Sequence, residues 1–126
     1  MTAPGFERAP PPAGPLVRGL AAAGFVIDGE THAAALLTPE RAAAWDAPAL
    51  AALEAAHVEP ALALAPPPEF LLLGTGPAMA FPPRAFVAAL EARGIGVEAM
   101  DSRAAARTWG VLRGEGRWIA AALMPL

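Results

Sequence analysis

The sequence contains no cysteine and no lysine among its 126 residues. Without cysteine there can be no disulfide, no thiolate nucleophile and no cysteine-ligated zinc or iron–sulfur centre. All nine basic residues are arginine; with the excess of alanine and proline, this is what a GC-rich coding sequence produces, and it says little about function. No apolar run approaches the ~20 residues that span a bilayer. The N-terminus has no basic stretch leading into an apolar one, so no secretory signal is read and a cytoplasmic, non-membrane protein is expected. A basic surplus is missing as well. The net charge of −3 argues against a nucleic-acid partner, which needs a cationic footprint. His32 and His57 stand far apart with no HxH or HxxxH spacing, so no metal site is expected. No Ser–His–Asp set can be assembled from spacing, so no catalytic residue and no cofactor are assigned.

What the sequence does have is an apolar fraction of 56%, much of it alanine, in a chain long enough for one core. Charge is unevenly spread: residues 1–73 hold three arginines against eight acids, and residues 74–126 hold six against four. The chain is organised around Glu69–Gly76. Phe70 to Leu73 form an uninterrupted apolar run that fits a strand buried on both faces. Gly74-Thr75-Gly76 then permits a sharp backbone turn, since glycine takes φ > 0 without a Cβ clash.

Taken in order, residues 1–15 carry five prolines and read as an extended or disordered tail ahead of a single domain at 16–126. Strands are expected at Leu16–Leu20, Phe25–Ile27 and Thr31–Leu37, with Asp28-Gly29 as a hairpin turn. Thr38-Pro39-Glu40 breaks the third, and Arg41–Trp45 reads as a short strand or turn. Asp46–Ala56 reads as a helix, with Asp46 as cap and Pro48 in its first turn. Val58–Pro68 reads as a stiff connection. A helix opens at Pro82-Pro83 and closes at Gly94, with Ala85, Phe86, Ala89 and Leu90 as its buried stripe. Gly96–Met100 is the next strand. Asp101 caps a helix from Ser102 to about Leu112, and Trp118–Leu123 is the last strand. A right-handed crossover sets the carboxyl ends of 69–73 and 96–100 side by side, where open α/β sheets bind ligands.

These segments resemble a small α/β family of unknown molecular function, the DUF498 or Mth938-like type. That family includes bacterial and archaeal proteins, a human adipogenesis-associated protein and the mitochondrial complex I assembly factor 3. The resemblance rests on Gly24–Gly29, Gly74-Thr75-Gly76, Gly94-Ile95, Glu98-Ala99-Met100-Asp101, Arg107-Thr108 and Glu115-Gly116-Arg117, over roughly residues 16–126. Where many members carry cysteine before Arg-Thr and tyrosine-asparagine after it, this chain has Ala106, Trp109 and Gly110. Chemistry using that cysteine or asparagine does not carry over. The resemblance implies a three-layer Mth938-like α/β fold. It has a mixed central sheet whose last strand runs antiparallel, and an extra small β layer from the N-terminal part. It implies no established reaction.

The candidate cleft residues are Gly74, Thr75, Gly76, Asp101, Arg107 and Thr108. The glycine turn can present N–H groups to an anion, or can be a tight turn and nothing more. It is no dinucleotide fingerprint, because Met79 stands where a third glycine belongs. Asp101 can orient a ligand or cap a helix. Arg107 can clasp a carboxylate or phosphate, or pair with Asp101 or Glu98. Trp45, Trp109 and Trp118 read as core or interface aromatics. Two functional readings follow. One is a non-enzymatic interaction or assembly module with protein partners, respiratory-complex subunits among them. The other is a binder of, or enzyme for, an anionic metabolite in the cleft.

Overall fold

The computed structural model describes residues 14–21 and 24–126, so most of the expected proline-rich tail lies outside the described residues. Strands β1 (Val17–Ala21), β2 (Gly24–Ile27) and β3 (Glu30–His32) form a small antiparallel sheet in the order β1-β2-β3. The β2–β3 turn is Asp28-Gly29, both with positive φ (50° and 81°), as the twist-matched hairpin turn requires. β4 (Ala35–Leu37) and β5 (Ala42–Ala44) follow. Two 3-10 turns (Leu50–Ala52 and Ala55–Val58) then lead into a single α-turn, α1 (Glu59–Leu62). β6 (Phe70–Gly74), α2 (Arg84–Glu91), β7 (Gly96–Met100), α3 (Ser102–Gly114) and β8 (Ala120–Leu123) complete the chain. The central sheet has the order β5-β4-β8-β6-β7.

Three expectations are corrected. Thr31–Leu37 is not one strand. β3 pairs with β2 in the small sheet, whereas β4 is buried throughout and pairs with β5 and β8 in the central one. The chain bends at Ala33-Ala34 to change sheets. Asp46–Ala56 is not an α-helix but the two 3-10 turns. Between the turns the backbone is extended at Leu53 and Glu54 (ψ 128° and 161°), with Leu53 buried in the core, so no helical ladder runs through them. The second turn is closed by Glu54 and His57, whose Nδ1 accepts from Glu54 N–H at 2.9 Å. Finally, β8 runs parallel to β6 and antiparallel to β4. The mixed character of the sheet therefore enters with β4, not with the last strand. The α3 crossover is the reason: it carries the chain back to the end from which β6 and β7 also start.

β6 holds the layers together. Leu71, Leu72 and Leu73 are all fully buried, on alternating faces as the pleat dictates. Leu71 and Leu73 meet Phe86, Leu90, Val58 and Leu62 on one side; Leu72 meets Trp109, Ile119, Phe25 and Ile27 on the other. α2 and α3 thus cover opposite faces of the sheet, and the small sheet packs on the α3 side. Trp109 is the largest fully buried side chain. Its indole Nε1–H donates to the Pro15 carbonyl at 2.9 Å across 94 residues of sequence, the partner a buried indole requires. Truncating Trp109→Ala should lower unfolding stability by ~3–5 kcal/mol, read as a shifted denaturation midpoint.

A bidentate Arg93–Glu59 pair, at 2.7 and 3.0 Å, ties α1 to the turn after α2. The hydrogen bond from Arg93 is the main cause holding the Glu59 carboxyl below its ordinary range, and partial desolvation opposes it. A depressed carboxylate pKa stabilises the fold above the unfolded value, and that stability is lost as pH falls through the folded one. Both side chains are more than two-fifths exposed, so the amount stays under ~1 kcal/mol. Arg93→Ala should therefore cost slightly at neutral pH, and urea titrations in strong acid should find the two proteins equal.

Candidate functional site

The carboxyl ends of β7, β6 and β8 line up because all three strands run parallel. The sheet grows from β6 to β7, then reverses to β8 on the far side of β6, which makes this edge the expected ligand position of an open α/β sheet. Gly74, Thr75, Gly76 and Asp101 do come together there. Their polar groups, however, face one another.

Thr75 N–H donates to the Met100 carbonyl at 2.8 Å. The Thr75 hydroxyl lies 2.7 Å from the Ala78 carbonyl and 3.1 Å from that of Met100, and it accepts from Ala80 N–H at 3.1 Å. Gly76 N–H donates to Ser102 Oγ at 2.9 Å, and that hydroxyl in turn donates to the Met124 carbonyl at 2.7 Å. Met124 N–H completes the circuit on the Gly74 carbonyl at 3.0 Å. Ser102 is wholly buried. It fills the space above Gly74, where a Cβ would sit 2.7 Å from the Ser102 hydroxyl and 2.9 Å from its Cα. Gly74 is thus required by close approach. Gly76, with φ +105°, is required by its backbone conformation. Asp101 caps α3, its carboxylate accepting from Ala104 N–H at 2.9 Å.

The other two candidates lie elsewhere. Thr108 Oγ1 is 3.4 Å from the sulfur of Met100. Arg107, six residues or about 9 Å along the helix from Asp101, pairs with neither Asp101 nor Glu98. It lines a shallow hollow of about 140 Å³ between α3 and β1, with Arg18, Arg103, Gly19 and Ala106. Among the described residues none of these three arginines takes part in an ion pair. No three His, Asp or Glu side chains converge to hold a metal among the described residues.

Sequence reasoning missed Ser102 and Phe81. Ser102 directly follows a capping Asp and reads as the first residue of a helix; only the small residue across from it, Gly74, hints that it plugs the crevice. Phe81 precedes Pro82-Pro83 and reads as loop, yet it is 84% exposed.

Fold and site together define a small three-layer α/β protein whose sheet edge is closed by its own hydroxyl and backbone groups. Residues 17–124 match the family described as protein of unknown function, DUF498/DUF598, and the chain belongs to that family. An uncharacterized protein of Rhodobacter capsulatus is 37% identical over 125 residues, spanning 98% of this chain and 90% of its own length. A crystal structure of a Bordetella parapertussis protein is 36% identical with a TM-score of 0.80, covering 93% of this chain and 100% of that one. The solution structure of a Bordetella pertussis protein, a Mth938-like domain, is 30% identical with a TM-score of 0.76, covering 88% of this chain and 85% of the other. No helix among the described residues is long and apolar enough to cross a membrane.

Removing the plug should unsettle the edge. Ser102→Ala leaves a buried N–H and a buried carbonyl without their shared partner, at a cost of ~1–3 kcal/mol. Gly74→Ala should cost at least as much through the forced contact. Combined, the two should fall short of additivity, since Ser102→Ala removes the closest atom that the new methyl would meet. Chemical denaturation of the four proteins checks this.

Proposed function

We propose that this protein is a non-enzymatic interaction module of the cytoplasm, acting in the assembly of larger complexes. Its partners carry acidic segments, and respiratory-complex subunits are the first class to test. The observation that carries the reading is the division of polar groups. Those of the glycine turn bond internally, whereas Arg18, Arg103 and Arg107 face outward around one hollow with no ion-pair partner among the described residues. Arginine groups left open on an acidic chain suit a protein partner, because complementary charge steers encounter and fixes register. Family resemblance to an assembly factor supports the same reading by analogy.

A second reading, an anionic-metabolite binder or enzyme at Gly74–Gly76, Asp101 and Arg107, draws support from Arg107, which has no ion-pair partner among the described residues. It is weakened by placement: the hollow that Arg107 lines includes none of Gly74, Thr75, Gly76 or Asp101, and at about 140 Å³ it is well under the ~300–1,000 Å³ of ordinary small-molecule pockets.

Affinity capture of the tagged protein from its own cells, read by mass spectrometry, tests the choice. Specific partners should be recovered and should fall roughly tenfold or more with Arg103→Ala/Arg107→Ala. The fold should be unharmed, since these like charges sit at i, i+4 and losing them relieves a small repulsion. Thermal stabilisation by a small anion that disappears in Arg107→Ala, with no partner captured, would overturn the module reading.

A further inference from the structure

We infer that α2 is a self-association surface on which a second copy of this chain docks, helix against helix in antiparallel register. This goes beyond the proposed function and uses none of its residues. An open groove of about 580 Å³ is lined by Phe81, Pro82, Arg84, Val87, Ala88 and Glu91. The last four residues stand at i, i+3, i+4 and i+7, so they share one helix face. The buried Phe86 and Leu90 lie on the opposite face. Phe81, 84% exposed beside a buried Pro82, holds a large aromatic ring in water, the kind of side chain that anchors interfaces.

The charges point to the occupant. Arg84 is the first residue of α2 and Glu91 the last. Each opposes the helix macrodipole, which favours acids at the N-terminus and bases at the C-terminus. Neither has an ion-pair partner among the described residues. A two-fold axis passing between Val87 and Ala88 resolves both features. It sets Arg84 of each copy against Glu91 of the other, and each helix N-terminus beside the other's C-terminus. The small Ala88 at the centre lets the helices approach. A pattern that is its own complement about its midpoint is what an isologous interface demands, and an unrelated partner would have no need of it. Two helical turns and one aromatic side chain per copy make a small contact, so association is concentration-dependent rather than permanent.

Analytical ultracentrifugation of the full chain, from micromolar to millimolar, tests the assignment. The mass should climb from monomer to dimer. Arg84→Glu and Glu91→Arg each turn two attractive contacts into two repulsive ones and should weaken association roughly tenfold. The double exchange R84E/E91R should restore it, and Phe81→Ala should weaken it again. Melting temperatures of the charge variants at low concentration should match or exceed the parent, because each change agrees with the macrodipole. A monomer throughout the range, single reversals that dimerise like the parent, or a double exchange as weak as the singles would each overturn the inference.

Discussion

Burial of one strand on both faces is the constraint from which the other features follow. Leu71, Leu72 and Leu73 cannot be shielded by any single layer, so the chain must supply cover above and below and a neighbour on each edge. α2 delivers β7 to one edge, and α3 returns β8 to the other. Because each helix serves as both crossover and cover, the two end up on opposite faces, and the three strands run parallel. The N-terminal hairpin and Trp109 then close the α3 side, where the alanine-rich inner face of that helix cannot fill the volume alone.

The same topology that creates a ligand-binding edge also closes it here. The chain leaving β8 at Met124 stays hydrogen-bonded alongside the end of β6. Gly74 has no side chain to hold Ser102 off, and Ser102 bridges the turn and Met124. The result is a hydrogen-bonded knot in which donors and acceptors of the turn, the helix start and the final residues are matched. Groups matched in this way are pre-empted. Features open to other molecules have been displaced to the flanks: a cationic hollow beside α3 on one face, and an aromatic and charged helix face on the other.

Most of the C-terminal half was legible in the sequence because its signals are local and unopposed. The apolar run ending at Gly74, the proline pair before α2, the glycine after it and the capping Asp101 each act within a few residues. The N-terminal half was harder to read, since alanine is compatible with strand, helix or turn. There the outcome is set by distant partners: β4 takes its direction from β8, and Trp45 holds the following turn through the His57 carbonyl at 2.9 Å. Thr75 and Gly76 were identifiable as a special turn, but whether its amides face a ligand or a hydroxyl depends on Ser102, which lies 26 residues from Gly76. Direction of β8 could not be read from Ala120–Leu123 itself, because strand polarity is decided by crossover and not by composition.

The placement of β4 between β5 and β8 has a consequence for biosynthesis. On the ribosome β4 emerges early, and the only neighbour then available to it is the alanine strand β5. Its other partner, β8, is translated long afterwards. The central sheet therefore cannot close co-translationally from its N-terminal side. Until β8 arrives, a nascent chain carries Ala35–Leu37 with one edge bare, exposed to whatever strand or chaperone meets it first.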